Sequence, residues 1–157
     1  MSKRIKLILL FTVIFFAALI TYTRVERINP IGFGSHAVNQ GMFNDIAING
    51  YDAVAYHTAG RAMQGSPKIM YEWKEADWFF ISEEHRQLFV EDPERYVPQY
   101  GGYCAFAVST GFTADTDPET FEIIEGKLYL FNSPSVREQW MSDVQANREV
   151  CDKKWNQ

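Results

Sequence analysis

A long apolar stretch opens the chain and is its strongest pattern. Basic side chains at the very N-terminus precede an apolar run over residues 7–20 that only Thr12 interrupts. Counted over residues 5–22, the segment is close to the roughly 20 residues of a membrane-spanning helix and longer than the about 7–15 of a secretory signal. Residues 19–23 lack the small side chains of a cleavage site. The pattern therefore predicts an uncleaved signal-anchor, a transmembrane helix within residues 1–23, with a cleaved signal and a secreted domain as the alternative.

The rest of the pattern is that of one small mixed domain. Glycine and proline are frequent over residues 24–43, which predicts a linker. Short alternating stretches and helical patterns then follow one another over residues 44–157. Together they predict an α+β domain with a small antiparallel sheet of about four strands and two or three helices, behind the N-terminal membrane helix.

Two hairpins and one capped helix make up most of the predicted elements. Residues 68–82 read as two strands around a polar turn. Residues 121–130 alternate between apolar and polar side chains around a Glu-Gly turn, which predicts a second hairpin. Between them, the Ser82 hydroxyl is a good N-cap for a helix over Glu83–Glu91.

A last helix is predicted to begin near Ser135, which forms a capping-box pattern with Glu138. Apolar side chains recur on one face of this helix at 3.6 residues per turn and would dock it on the sheet. This stripe consists of Val136, Trp140, Val144, Cys151 and Trp155.

Charge is unevenly distributed along the chain. Residues 1–27 carry five Lys and Arg against one Glu, a net of +4, and the whole chain is −5, so residues 28–157 carry −9. The positive-inside rule then places the N-terminus in the cytoplasm and the domain in a periplasm or its equivalent. An acidic body repels phosphates, which argues against nucleic acid as a partner. The expected partners are the membrane, through residues 5–22, and an unknown protein or small ligand.

Three sequence blocks carry a resemblance to a known family. They are Asn49–Tyr56, Asp92–Ala105 and Gly126–Leu130, and their order and spacing fit over roughly residues 44–156. On these blocks the chain resembles the long form of the YHS domain family. The resemblance implies a small α+β module that is often found in exported bacterial proteins and is associated with heavy-metal handling. The long-form proteins mostly lack an assigned activity.

The cysteines of the short, metal-associated form of that family are replaced in this chain. The block with the first cysteine looks like Asp52–His57, and Ala55 stands at the cysteine position. The block with the other two looks like Phe80–His85, where Ile81 and His85 stand at the cysteine positions. A soft-metal site built on thiolates is therefore not expected at this place.

Cys104 is the candidate residue for chemistry. As a thiolate it could bind copper or zinc, with His57 and His85 as nitrogen ligands and a fourth position left open. It could also be a reactive thiol, which needs a lowered pKa, or simply a small buried hydrophobe. In an oxidising compartment it could form a disulfide with Cys151, which otherwise packs in the core.

A tyrosine-rich stretch is the second candidate site. Tyr96, Tyr100, Tyr103 and Tyr129 could line a groove for a ligand or partner, because tyrosine combines an apolar ring with a polar end. The same four rings could equally form a core that is rich in tyrosine. The sequence leaves both readings open.

Signatures of the common enzyme classes are missing from the sequence. It has no nucleophile elbow, P-loop, dinucleotide glycine fingerprint or zinc-protease helix. The sequence favours a membrane-tethered, extracytoplasmic YHS-like binding module without assigned catalysis, with heavy-metal handling as the theme that the resemblance implies. The alternatives are a copper- or zinc-binding protein that uses Cys104 with His57 or His85, and a Cys104-dependent thiol enzyme.

Overall fold

The computed structural model describes residues 3–25, 29–31, 36–41 and 44–155, and within them the chain is α+β. The helices are α1 (Lys3–Val25), α2 (Ala53–Thr58), α3 (Glu83–Glu91), α4 (Pro93–Tyr96), α5 (Ala105–Thr110), α6 (Pro134–Met141) and α7 (Val144–Trp155). The strands are β1 (Asn29–Pro30), β2 (Ser66–Trp73), β3 (Ala76–Phe80), β4 (Phe112–Thr113), β5 (Asp117–Ile124) and β6 (Lys127–Phe131). Two 3-10 turns, Ile48–Gly50 and Gln99–Gly102, complete the secondary structure of the described residues.

The predicted single sheet of about four strands is wrong. The described strands form three separate antiparallel pairs, β1 with β4, β2 with β3, and β5 with β6. The outer edge of β3 is taken by a one-residue bridge between Ile46 and Asp77, and that of β6 by a bridge between Cys104 and Leu130. Since each hairpin edge is occupied locally, the two hairpins do not join into one sheet. The described helices also exceed the predicted two or three.

The predicted membrane helix is also wrong. No helix among the described residues is long and apolar enough to cross a membrane. The prediction counted residues 5–22, which include Lys6. The apolar run without a charge covers residues 7–20 and is only about 21 Å long in a helix, whereas the hydrocarbon core is about 30 Å thick. This finding contradicts the predicted signal-anchor and the predicted single-pass membrane localisation.

Two hydrophobic cores organise the rest of the chain. The first core consists of Val38, Ala47, Ile48, Ala53, Val54, Tyr56, Ala76, Trp78, Phe80, Phe89, Tyr96, Leu128 and Leu130. The second core consists of Tyr100, Tyr103, Ala105, Val108, Tyr129, Phe131, Trp140 and Cys151. Successive side chains of a strand point to opposite faces. Strand β6 therefore contributes alternate residues to the two cores and lies between them.

Both predicted hairpins form, with two-residue turns. Strands β5 and β6 pair around Glu125 and Gly126, whose φ values are 52° and 76°. Strands β2 and β3 pair around Lys74 and Glu75, whose φ values are 52° and 58°. Positive φ at both central residues is the backbone that follows the right-handed twist of a hairpin. The turn between β2 and β3 is therefore shorter than the polar stretch predicted there.

The predicted helix over Glu83–Glu91 is confirmed, and it packs on the first core. The Ser82 hydroxyl accepts a hydrogen bond of 3.1 Å from the amide N–H of His85, so Ser82 is the N-cap. Phe89 is fully buried against Trp78 and Phe80, with ring centroids 5.1 and 5.2 Å away. A local cap and one core-facing ring are enough to place this helix.

The predicted last helix divides into α6 and α7. The N-cap of α6 is Ser133, which makes no capping hydrogen bond with its side chain, and the predicted capping box at Ser135 does not form. A second start signal follows, because the Asp143 carboxylate accepts a hydrogen bond from the amide N–H of Ala146. The predicted apolar stripe still docks, since Trp140 and Cys151 are fully buried in the second core.

The two serine caps offer a matched test of helix capping. We expect Ser82→Ala to lower the free energy of unfolding by about 1 kcal/mol, because the His85 amide loses its acceptor. Ser133→Ala should change it by less than about 0.5 kcal/mol, since the Ser133 hydroxyl caps no amide. Urea denaturation of both variants measures the difference. Equal losses would mean that the hydrogen bond of Ser82 contributes nothing specific.

Candidate functional site

Two left-handed turns lie back to back beside the first core. Ile48, Asn49 and Gly50 have φ values of 41°, 56° and 78°. In the other turn, Tyr100, Gly101 and Gly102 have φ values of 57°, 64° and 82°. Such backbone costs about 1–2 kcal/mol for each residue that has a side chain, so it persists only where the surrounding contacts enforce it. Gly101 and Gly102, directly before Tyr103, thus lie in a backbone conformation that favours glycine.

Buried Asn39 joins the two turns. Its carbonyl oxygen accepts a hydrogen bond of 2.9 Å from the amide of Ile48, and its own amide donates to the carbonyl of Gly101 at 2.7 Å. Its side-chain Nδ2 donates to the Gly102 carbonyl at 3.1 Å. Residues 38–40 are buried although they lie within the predicted linker. The described end of that linker is therefore part of the folded domain.

An open groove of about 530 Å³ lies between the two cores, on the outer side of the second turn. Trp73 and Trp78 of the β2–β3 hairpin line one side. Tyr100, Gly101 and Trp155 also line the groove. A volume of this size and the partly aromatic lining are typical of sites for small organic ligands.

Three of the four charged side chains at the groove, Lys74, Glu94 and Asp152, contact a partner within its lining. Lys74 Nζ is 2.9 Å from Glu94 Oε1 and 4.2 Å from the centroid of the Trp73 ring. The Tyr100 hydroxyl donates to Asp152 Oδ1 at 3.0 Å, and burial raises the pKa of this tyrosine, which keeps the hydroxyl protonated. The groove is lined by two lysines, Lys74 and Lys127, and two carboxylates, Glu94 and Asp152, so the formal charge of its lining is zero.

The four predicted tyrosines divide between groove and core. Tyr100 lines the groove. Tyr103 and Tyr129 are buried in the second core, where Tyr129 packs on Trp140 with ring centroids 5.2 Å apart. Tyr96 is buried in the first core. Tyr100 belongs to both places, because it is also buried in the second core with only 6% of the residue exposed.

Cys104 is a buried thiol. Cys104 directly precedes α5 without capping it through its side chain. Only 2% of the residue is exposed, and Sγ accepts a hydrogen bond of 3.4 Å from the Asn132 amide. Burial raises the pKa of the Cys104 thiol, although nearby backbone N–H groups act in the opposite direction. Cys151 is also free and fully buried, and its Sγ donates to the Ala105 carbonyl at 3.3 Å. Both cysteines thus stand in the protonated form at neutral pH.

His85 belongs to a different cluster from Cys104. Its Nδ1 is 2.7 Å from Oδ2 of the fully buried Asp52, and its Nε2 is 3.4 Å from the Thr58 hydroxyl. Asp52 also accepts hydrogen bonds from the amides of Val54 and Ile81 at 2.8 and 2.9 Å. The His85 side chain is only 13% exposed, and it joins α3 to the start of α2.

His57 packs in a third place. Its ring meets the Tyr96 ring edge-on, with centroids 5.5 Å apart, and its buried Nε2 has no hydrogen-bond partner among the described residues. Burial lowers the pKa of His57 and nearby Arg95 lowers it further, while a hydrogen bond to the Tyr96 backbone opposes both. The ring therefore favours its neutral form.

The three predicted metal ligands do not form a common set in the described structure. His85 is bonded to Asp52, His57 is packed on Tyr96, and Cys104 is bonded to Asn132. Across the described ranges, no group of three or more His, Cys, Asp and Glu side chains is arranged to hold a metal ion. Among the described residues, His57, His85 and Cys104 therefore do not come together as the shared copper or zinc site that their residue types allowed.

The burial of Cys104 predicts slow alkylation at neutral pH. In the folded chain, iodoacetamide should modify both thiols on the order of 100-fold more slowly than in urea, because modification then requires opening of the fold. The single variants Cys104→Ser and Cys151→Ser assign each rate. Rapid modification of folded Cys104 near pH 7 would contradict the buried, protonated thiol.

The raised thiol pKa also predicts how stability depends on pH. The thiol pKa is higher in the folded chain than in the unfolded chain. At a pH between the two pKa values, the folded chain keeps the thiol proton and the unfolded chain loses it. The stabilisation is therefore complete below the ordinary thiol pKa of about 8.5 and is lost as pH rises through the higher folded value. Urea midpoints measured across this range, with Cys104→Ser as the reference, test the sign.

The sequence missed the groove because its lining comes from five separate segments. Trp155 was assigned to the core stripe, and Asn39 was assigned to a linker. Asp52 directly precedes a short apolar helix, which is the position of an N-cap, and that signal could have marked it as buried.

No family model, curated protein or solved structure matches this chain significantly, so comparison with known proteins assigns it neither a family nor a function.

Proposed function

We propose that this chain is a YHS-like binding module without catalysis of its own, and that its groove binds a small organic molecule. The observation that carries the proposal is the groove itself, which lies between two cores and in which Tyr100 and Trp155 are already packed on each other and Tyr100 is bonded to Asp152. Ligand sites are usually concave, partly aromatic and largely formed before binding. Preorganised side chains lose less entropy when a ligand binds.

The resemblance to the YHS family supports the same surface. Its central block, Asp92–Ala105, supplies Glu94, Tyr100 and Gly101 to the groove, and its last block supplies Lys127. The block is long because it has to build α4, the left-handed turn and the start of α5 in succession. Tyr100 and Gly101 of that left-handed turn line the groove. Strained backbone conformations are found mainly at functional sites.

The buried thiol supports binding rather than thiol chemistry. Cys104 does not line the groove, and its pKa is raised, whereas a nucleophilic thiol needs a lowered pKa. The proposal therefore needs neither a metal nor a reactive cysteine.

The four tryptophan indole N–H signals provide the test. We would screen a library of small aromatic and polar fragments against the full chain by protein-observed NMR. Fragments should shift the signals of Trp73 and Trp155, which line the groove, and leave that of fully buried Trp140 unchanged. The shifts should disappear in Trp155→Ala and persist in Val150→Ala, a control on the exposed side of the same helix. Fragments that bind only elsewhere, or no binding at millimolar concentration, would overturn the proposal.

A further inference from the structure

The charges at the groove narrow the class of ligand, if the groove is the binding site proposed above. The Lys74 ammonium is bound to Glu94 and lies over the Trp73 ring. Asp152 accepts the hydroxyl of Tyr100, and Lys127 balances its charge within the same lining. A ligand with a net charge would therefore meet one like charge for each opposite one, and it would gain little from Coulomb attraction. The lining favours a neutral ligand.

Hydrogen bonding remains available in the groove even though its charges balance. A carboxylate has about four acceptor sites and an ammonium has three donors, so the single contacts of Glu94 and Lys74 leave further capacity. Hydrogen bonds from ionised groups to neutral hydroxyls are roughly twice as strong as those between neutral partners. Such a lining suits a ligand that carries several hydroxyl groups.

Trp155 supplies the apolar surface for such a ligand. Its ring is half-buried and is held by Tyr100 and Tyr103, with centroids 6.1 and 6.0 Å away. One face of Trp73 is already covered by the Lys74 ammonium. The exposed part of the Trp155 ring is therefore the better platform, and it lies beside Asp152 on the same helix. A saccharide ring combines an apolar C–H face with polar hydroxyls at its edge, which matches this arrangement.

We infer that the ligand of the groove is a neutral saccharide whose ring packs on Trp155 and whose hydroxyls bond to the carboxylates and lysines of the lining. Because the groove is open to solvent, a chain of sugars can continue beyond the bound ring. The contacts involve hydrogen bonds and ring packing without net charge. Binding should therefore be almost independent of salt, because ionic screening acts on charged partners.

The experiment titrates the full chain with sugars of different charge and follows the Trp155 and Trp140 indole signals. Cellobiose, maltose and diacetylchitobiose are the neutral probes, and methyl glucuronide and methyl glucosaminide are the charged ones. We expect at least one neutral disaccharide to bind with a dissociation constant on the order of 1 mM. Affinity should be equal at low and high salt. The charged monosaccharides should not bind more tightly than methyl glucoside.

Variants tie the binding to the groove. Trp155→Ala should weaken the disaccharide about tenfold or more, and Trp155→Phe should weaken it less because a smaller ring remains. Val150→Ala on the same helix should bind like the unaltered chain. Tighter binding of a charged sugar, or strong salt dependence, would overturn the neutral class. If fragments occupy the groove and no sugar does, the saccharide inference fails while the proposed function stands. If neither binds, both fail.

Discussion

Replacing Asp52 with alanine is expected to lower the free energy of unfolding by about 3–5 kcal/mol. Asp52 is fully buried, and its two oxygens accept hydrogen bonds from three backbone amides and from His85. Its removal leaves the His85 ring and the Ile81 amide inside the protein without their acceptor. An unpaired buried polar group loses its hydration without compensation, which explains the large effect. Urea denaturation, with the slope checked for two-state behaviour, measures the loss.

Two further variants separate the sources of this effect. Asp52→Asn keeps an acceptor for the first turn of α2 but removes the charge that faces His85, so its loss should be smaller. Asp45→Ala removes an exposed carboxylate and should change stability by less than about 0.5 kcal/mol. A loss below about 1 kcal/mol for Asp52→Ala would show that water reaches this cluster and replaces the carboxylate.

Replacing Gly101 with alanine should destabilise the chain by about 2–5 kcal/mol. Its φ of 64° places it in the left-handed region, which costs an L-residue about 1–2 kcal/mol. A Cβ at this position would also overlap the carbonyl oxygen of Ala37, so the two segments would have to separate. Overpacking of this kind adds about 1–3 kcal/mol. The separation would weaken the hydrogen bond from the Asn39 amide to Gly101 and would disturb the groove.

Gly126→Ala is the matched control for this substitution. Gly126 has a similar φ of 76°, but a Cβ there would meet no heavy atom within 4 Å. It should therefore lose only the backbone contribution of about 1–2 kcal/mol. The difference between the two variants in urea denaturation isolates the steric overlap. In Gly101→Ala the Trp155 indole signal should also move, whereas in Gly126→Ala it should not. Equal losses in stability would show that the Ala37 segment shifts freely.

Local patterns predicted several elements correctly. Ser82 and the following helix were placed to the residue, because an N-cap and the first turn it serves lie within three positions of each other. The hairpin around Glu125 and Gly126 was predicted from alternation and a turn, which are also local signals. Local signals say nothing, however, about which edge pairs with which. The prediction of one joined sheet failed for that reason.

The errors at the two ends of the chain have separate causes. The N-terminal helix was judged by counting apolar residues through Lys6, and the shorter charge-free run falls below the thickness of a membrane core. At the other end, an uninterrupted apolar stripe suggested one helix, although Asp143 can start a second one within it. An apolar stripe shows which face of a helical segment is buried. It does not reveal a short break between two helices that bury the same face.

The candidate site was almost hidden from the sequence. The Asn39 side chain meets the Gly102 carbonyl 63 residues further along the chain, and His85 meets Asp52 33 residues before it. Neither pair has a spacing that a pattern could reveal. Trp155 follows the core stripe by periodicity, yet it also lines the groove and packs on Tyr100 of the left-handed turn.

The sequence alone determined the α+β character, the capped helix α3 and the two hairpins. Each of these depends on capping, alternation or allowed φ values within a few residues. Only the tertiary structure decided that β6 lies between two cores, that Asp52 holds His85, and that Tyr100 and Trp155 face a common groove. These features join distant segments, and they depend on which faces the two cores bury.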